Sequence, residues 1–487
     1  MSATTNPIVA NPNGNVSTLN DSNGNVVGLL GPGGEEAGEA VFGSQRVLSL
    51  DSFYLSKLNK HPGQVAVDWS ACSLGAVTAN WSVEVDNAVT YCGLPTLKIS
   101  GTAASVATLN VTITLPAALH LGSAKRYTCF IKSSDRQIIG DNTQTAQIRF
   151  NYSAGGIQTV QAYTTASSWD GSDWVSGTAY DGDANTTGHT SNPTVWAKVD
   201  SEETSSIALV MGAPSTPGTF TVWLSPFLTD PICPPVLSIF MDGNYASQYT
   251  YLRQALARAN IRASLAIDVP RIGSSASYMT LAQIGKMYDA GHECVRHTGA
   301  GAALGWDNTT KYPDVSVYAD VKADCDAYRT WAVANGFTRG VGYGVIGWTN
   351  GMVKTQTLAR RNSIAQAVYD SGERHVRTLT TAVSTYDSHF EHTDHSPLFK
   401  NPGLQILATT TQGNVDTFIA GLKARGGWNS ITFHTAVLSG GSGNDINASV
   451  LDTVMSSIVT EVAAGTIVCL PFSEAMEEIA LPSLVGV

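Results

Sequence analysis

From residue 235 onward, apolar residues fall into two kinds of run that alternate along the chain. VLSIF (236–240) is a continuous apolar stretch of strand length, and YTYLRQALARANI (249–261) spaces its apolar residues at the three-and-four interval of a helix face. RASLAI (262–267) predicts a second strand, and TLAQIGKMYDAG (280–291) a helix stopped by glycine. Further helices are predicted over about 315–335, 354–371 and 449–464, with strands near 374–379 and 430–434 and a last strand TIVCL (466–470). Repeated strand–helix units require a parallel sheet. About seven units in about 250 residues suit a distorted (β/α) barrel. Upstream the period changes to two, as in ATLNVTITL (107–115), TAQIRFNYS (145–153) and GTFTVWLSP (218–226). Short alternating strands between turn-rich stretches predict an all-β sandwich. The linker is TDPICPPV (229–236), with three prolines. Three parts are therefore expected: an extended segment over 1–48, the sandwich over 49–230 and the barrel over 231–487.

Composition narrows the partners. Apolar residues make up 43% of the chain and charged residues 14%, where roughly 25% is ordinary. The surface must be neutral and polar, which suits carbohydrate met through hydroxyl hydrogen bonds and aromatic stacking. A net charge of −11 with no Lys/Arg run argues against nucleic acid. The start, MSATTNPIVANPNGNVSTLN, has neither a basic nor an apolar export region, and no run reaches the length of a membrane span, so neither a signal peptide nor membrane insertion is expected. Seven scattered cysteines without CxxC spacing indicate neither a disulfide framework nor a cysteine zinc site. Cys72 and Cys92 can pair, or all can be buried free thiols.

The first 48 residues are punctuated by NG and GPGG turns and hold too little apolar material for a core. The stretch DSNGNVVGLLGPGG resembles the N-terminal segments with which bacteriophage tail fibres and spikes dock on the tail. That resemblance implies a virion tail protein, extracellular after host lysis, attached to other tail proteins and commonly trimeric. A tail with no specific role is the alternative. Six tryptophans (Trp69, Trp81, Trp169, Trp174, Trp196 and Trp223) lie in the β region, which resembles jelly-roll carbohydrate-binding modules. Most should be packing residues. Trp169 and Trp174, in the Asp- and Gly-rich loop WDGSDWVSG, are the candidate sugar platforms, with Trp348 beyond the GYG segment.

In a parallel barrel the chemistry sits where strands end. Those positions are MDGN (241–244), Asp268, HECVRHT (292–298), GYG (342–344), the histidine-rich loop 389–395 and HT (434–435). The ordered series SIFMDG, DAGHECVRHT, RGVGYG and SITFHT resembles the polysaccharide deacetylase family of carbohydrate esterases. The resemblance covers about 250 residues. It implies a distorted (β/α) barrel with an open groove, and metal-dependent removal of acetyl groups from N- or O-acetylated sugars.

Carried over by motif, Asp242 takes the family's metal-ligand position, while Met241 stands where the base aspartate belongs. A thioether cannot take a proton. His297 takes the first metal-ligand histidine, and Gly301 stands where the second belongs. Two ligands remain where an open catalytic zinc site normally has three. Tyr343 takes the tyrosine whose backbone N–H helps hold the oxyanion, with Gly342 and Val341 in place of the proline and arginine. His434 takes the general acid. Asp268, ending the second strand, is a candidate replacement base. The HFEHTDH loop offers His389, Glu391, His392, Asp394 and His395, with His392 the chosen third ligand to a divalent metal and zinc the expected ion; a solvated polar loop is the other reading. His292 and Glu293 are expected to pack beneath the site.

The functions left open are a phage tail spike or fibre that deacetylates host surface polysaccharide, a degenerate deacetylase-like barrel that only binds it, and a secreted bacterial carbohydrate esterase. Losing the base and one ligand together should each cost at least about a hundredfold.

Overall fold

The structure is a computed structural model describing residues 9–10, 17–20, 26–30, 64–91, 93–102, 109–120, 126–133, 146–151, 157–161, 175–180, 203–211, 219–229, 235–299, 309–346, 357–377, 399–400, 403–437 and 443–478. Near the start, Val9–Ala10, Ser17–Asn20 and Val26–Leu30 form a three-stranded antiparallel sheet. Among the described residues no helix is long and apolar enough to cross a membrane.

The β region forms two antiparallel sheets. Five strands run in the order Ile157–Gln161, Ala146–Asn151, Glu203–Met211, Leu109–His120, Ser73–Leu74. The other sheet has seven strands, in the order Gln64–Val67, Phe227–Thr229, Arg126–Ser133, Thr219–Leu224, Leu94–Thr102, Trp81–Tyr91, with Val175–Tyr180 also paired to Arg126–Ser133. Strand alternation puts every second side chain on one face. Thus Leu109, Val111, Ile113, Ile207 and Leu209 of the first sheet share an apolar cluster with Leu97, Ile99, Val222 and Leu224 of the second. Trp69 and Trp81 belong to this cluster, and Trp69 Nε1 donates to the Ser225 carbonyl at 2.7 Å. Trp223 Nε1 donates to Asp86 Oδ2 at 2.8 Å, so the three described tryptophans are packing residues.

From Pro235 the fold is parallel α/β. Its strands are β1 (Pro235–Asp242), β2 (Ser264–Asp268), β3 (Glu293–Thr298), β4 (Tyr343–Val345), β5 (His375–Arg377), β6 (Phe399–Lys400), β7 (Leu404–Gln405), β8 (Gly427–Phe433) and β9 (Val468–Cys469). The order is β6-β5-β4-β3-β2-β1-β8-β7, with β9 against the start of β1, in one nine-stranded sheet. Outside it lie α1 (Arg253–Ala259), α2 (Leu281–Asp289), α3 (Val317–Ala334), α4 (Leu358–Asp370), α5 (Gln412–Arg425) and α6 (Ala448–Ala463), while α7 (Phe472–Glu478) packs against the inward-facing residues. Arg377 on β5 bonds Asp242 on β1 and Thr432 on β8, although three strands lie between β5 and β1 along the hydrogen-bonded order. The sheet is therefore curled about its interior. Among the described residues β6 and β7 do not pair, which leaves the barrel open at that seam.

Strand parity divides the residues between two environments. Leu237, Ile239 and Met241 of β1 pack outward with Leu265, Ile267, Ile431 and Phe433 against Leu256, Ile284, Phe418 and Ile458 of the helices. Val236 and Phe240 point inward with Ala266, Val295, Tyr343, Val345 and Trp428, over Leu470, Phe472 and Met476. The apolar core is consequently double, with one layer under the helices and one filling the barrel. At the bottom of the barrel, buried Glu293 accepts from Ser264 Oγ at 2.7 Å and from the Ser473 hydroxyl, while His292 Nδ1 accepts from the Ala263 N–H at 3.0 Å. This is a structural role beneath the mouth.

Candidate functional site at the barrel mouth

The inward parity of β1 delivers Asp242 to its C-terminal end, where the chain must turn at once. Gly243 (φ 84°) and Asn244 (φ 42°) make that turn in the left-handed region, where glycine and asparagine are tolerated best. Asn244 Oδ1 then accepts from the Asp268 backbone N–H at 2.8 Å, tying the ends of β1 and β2. A π-helical turn over Gln248–Leu252 follows and leads into α1. It buries Gln248, whose Nε2 donates to the carbonyls of both Asp242 and His434 at 2.8 Å, while its Oε1 accepts from the Tyr245 N–H at 3.1 Å. One glutamine thereby fixes the two strand ends that carry a carboxylate and an imidazole. No family motif pointed to Gln248.

Asp242, His297 and His434 lie close enough to act on one another's charge. Burial opposes ionisation of Asp242, but the charge of the Arg377 guanidinium and its hydrogen bond overcome it and hold the carboxyl below its ordinary value. Burial pushes His297 down to about 4, against the pull of Asp242, so its imidazole is neutral. His434 moves in the same direction, first through burial, with Arg377 adding to it and Asp242 opposing. Asp242 Oδ1, His297 Nδ1, His434 Nδ1 and Arg377 Nε are buried without a protein hydrogen-bond partner. Native proteins seldom leave such atoms unpaired.

Arg377 is the residue that motif reading missed. It ends β5 facing inward, 1% exposed, with Nη2 2.5 Å from Asp242 Oδ2, Nη1 2.8 Å from Thr432 Oγ1, and its guanidinium carbon 4.4 Å from the centre of the Phe240 ring. Cation, carboxylate, hydroxyl and aromatic face thus come from three strands. The only sequence signal was an arginine closing the short segment HVR in a protein poor in charge.

His297 is braced from behind. Its neighbour Arg296 has the opposite parity, is fully buried, and pairs through Nε and Nη2 with the carboxylate of Glu373 while Nη1 donates to the His297 carbonyl at 3.2 Å. The pair fits because β4 carries Gly344 there: a Cβ would lie 2.5 Å from Arg296 Nη2 and 2.7 Å from Glu373 Oε2.

Three other residues singled out in the sequence have the following contacts. Met241 is fully buried in the outer apolar layer, so the position aligned with the base points away from the site. Asp268 accepts from Thr298 Oγ1 at 2.8 Å and pairs with Arg271 at 3.0 Å; the charges acting on it are Arg271 and Asp324, and burial raises its pKa. A register shift between Ile267 and Asp268 against β3 turns it toward those partners. Tyr343 N–H donates to the Gly340 carbonyl at 3.1 Å, and its ring packs on Phe472 inside the barrel, 5.6 Å between centres. His392, the rest of its loop, Gly301, Trp169, Trp174 and Trp348 lie outside the described residues.

A divalent ion can be tested against the donors in hand. An aspartate oxygen and two imidazoles are a set zinc accepts. Here, however, a guanidinium already holds the carboxylate, and among the described residues no three His, Cys, Asp or Glu side chains are grouped to hold an ion. The set does not fit a metal while Arg377 stays on Asp242.

What the molecule defines is an open α/β barrel with a buried polar constellation at the C-terminal ends of its strands. No protein-family profile matches the chain, and no curated protein matches it. Among solved structures it is similar to the Xyl-CE4 domain of a multidomain xylanase from the hindgut metagenome of Trinervitermes trinervoides, with 13% identity, 50% of this chain and 91% of that chain covered, and a TM-score of 0.31. It is similar also to the chitin deacetylase of Colletotrichum lindemuthianum (11% identity, 50% and 88% covered, TM-score 0.31). A third is the catalytic domain of a peptidoglycan N-acetylglucosamine deacetylase from Eubacterium rectale (12% identity, 50% and 90% covered, TM-score 0.30).

Proposed function

We propose that the barrel recognises acetylated polysaccharide at the mouth formed by Asp242, His297 and His434, and that it binds this ligand without hydrolysing it. The observation that carries this reading is the buried Asp242–Arg377 pair, which commits the mouth's carboxylate to an internal cation. A carboxylate so held is a poor base and a poor metal ligand. Two neutral imidazoles and the polar atoms left unpaired remain able to exchange hydrogen bonds with hydroxyl and acetamido groups. The low charge of the chain and the DSNGNVVGLLGPGG stretch support placing this domain on a phage tail spike or fibre, as a trimer that meets host surface polysaccharide. Trp169, Trp174 and Trp348 are then its proposed sugar platforms.

The second reading is metal-dependent deacetylation, with His434 as acid and His392 supplying a further ligand. The unpaired Asp242 Oδ1, His297 Nδ1 and His434 Nδ1 favour it. The full chain should be incubated with acetylated polysaccharide and with the same polymer after chemical deacetylation. Retention of the acetylated polymer with no acetate released is expected. Acetate release that a chelator abolishes would establish the second reading in its place.

A further inference from the structure

The mouth of the barrel contains a cation that belongs to the chain. Arg377 is buried, bonded at one end nitrogen to Asp242 and at the other to Thr432, and covered by the Phe240 ring. A guanidinium does not deprotonate in a protein, so this charge is permanent. We propose that Arg377 is the resident cation of the site, holding Asp242 and thereby keeping a divalent ion out.

Three observations support this. The 2.5 Å contact places a full positive charge directly on the carboxylate that an ion would need. With Asp242 and Arg377 both charged, the pair is neutral, and a divalent ion entering beside it would face a buried cation. The donors themselves are of a kind zinc accepts, one carboxylate oxygen and two imidazole nitrogens, each buried and without a protein partner. What keeps them from acting together is the arginine, and removing it frees Asp242 to turn toward the imidazoles. The inference rests on the same pair as the sugar-binding reading, but it is read out by metal content alone, so either can fail without the other.

The experiment uses the full chain, stripped of metal and then titrated with zinc, and with cobalt for its absorption spectrum. The variants are Arg377→Met, which keeps the length of the stem and removes the charge, and Arg377→Met with His297→Ala. Folding is followed in each by circular dichroism. The wild type is expected to bind no stoichiometric metal. Arg377→Met should bind one equivalent, its affinity rising by more than about tenfold, and His297→Ala should abolish the gain. The proposal is overturned if the wild type takes up one equivalent that His297→Ala removes, or if folded Arg377→Met binds no better than the wild type. Should Arg377→Met not fold, Arg377→Gln, which is polar and uncharged, replaces it under the same two criteria.

Discussion

Restoring an aspartate at position 241 is the obvious way to seek hydrolysis, and the structure predicts that it fails. Met241 is 0% exposed and packs in the outer layer with Leu237, Ile239 and the helix residues, on the opposite side of β1 from Asp242. Removing a buried methionine side chain costs about 2–5 kcal/mol. A carboxyl group left without a hydrogen-bond partner among apolar neighbours costs a further ~1–3 kcal/mol even in its neutral form. The sum is comparable with the whole stability of an ordinary domain, roughly 5–15 kcal/mol. Met241→Asp should therefore shift the urea unfolding of the barrel by about 5 kcal/mol or yield insoluble protein. Met241→Leu, which conserves volume, should cost less than about 1.5 kcal/mol. Acetate assays on any soluble Met241→Asp should give nothing above the wild type. A variant as stable as the wild type that also releases acetate would refute the outward assignment of this position and the parity argument with it.

Other outcomes follow from the same contacts. Asp242→Leu leaves Arg377 buried and unpaired and should cost about 3–5 kcal/mol, whereas Asp242→Leu with Arg377→Met should recover much of that loss in a double-mutant cycle of chemical denaturation. Gln248→Ala strips a donor from two buried strand-end carbonyls, and thermal melts should show a loss of about 1–3 kcal/mol. Gly344→Ala pushes a methyl into the Arg296–Glu373 pair, so the melting temperature should fall well beyond the effect of an alanine at half-buried Gly285, where a Cβ meets nothing. His292 is buried neutral, with its pKa lowered to about 4 by burial and then by Arg262, Arg339 and Arg253. Its contribution is complete above the unfolded value near 6.5 and is lost as pH falls toward 4, at about 1.4 kcal/mol per pH unit. Denaturation of His292→Gln across that window should show a slope reduced by about one proton relative to the wild type; an unchanged slope would exclude His292 as the source.

The barrel strands were legible because their residues are apolar on both faces, and β1, β2 and β8 lie within a few residues of VLSIF, RASLAI and the 430–434 prediction. Helix α5 was not predicted, although Val415, Phe418, Ile419 and Leu422 hold helical spacing and Thr411 forms a capping box with Asn414. Its polar residues and glycines hid that stripe. Motif order brought Asp242, His297 and His434 to one mouth because a parallel strand's end is set by its sequence position. It could not reveal Arg377 or Gln248, whose roles come from the curl of the sheet and from a π-helical turn. Nor could alignment show that Met241 points the other way from its neighbour, since parity becomes visible only when the flanking layers are assigned.

The first and last strands of the β region, Gln64–Val67 and Phe227–Thr229, lie side by side in antiparallel register, with Gln64 opposite Thr229. Both ends of this region therefore leave from the same end of one ladder. Tension applied between the N-terminal segment and the barrel would load that ladder at its terminal rung and peel it one bond at a time, instead of shearing all its bonds together. Phe227–Thr229 is also paired on its other side to Arg126–Ser133, so a pull at Thr229 would load two short ladders at their ends, and the one to Gln64–Val67 would act as a low-force mechanical fuse.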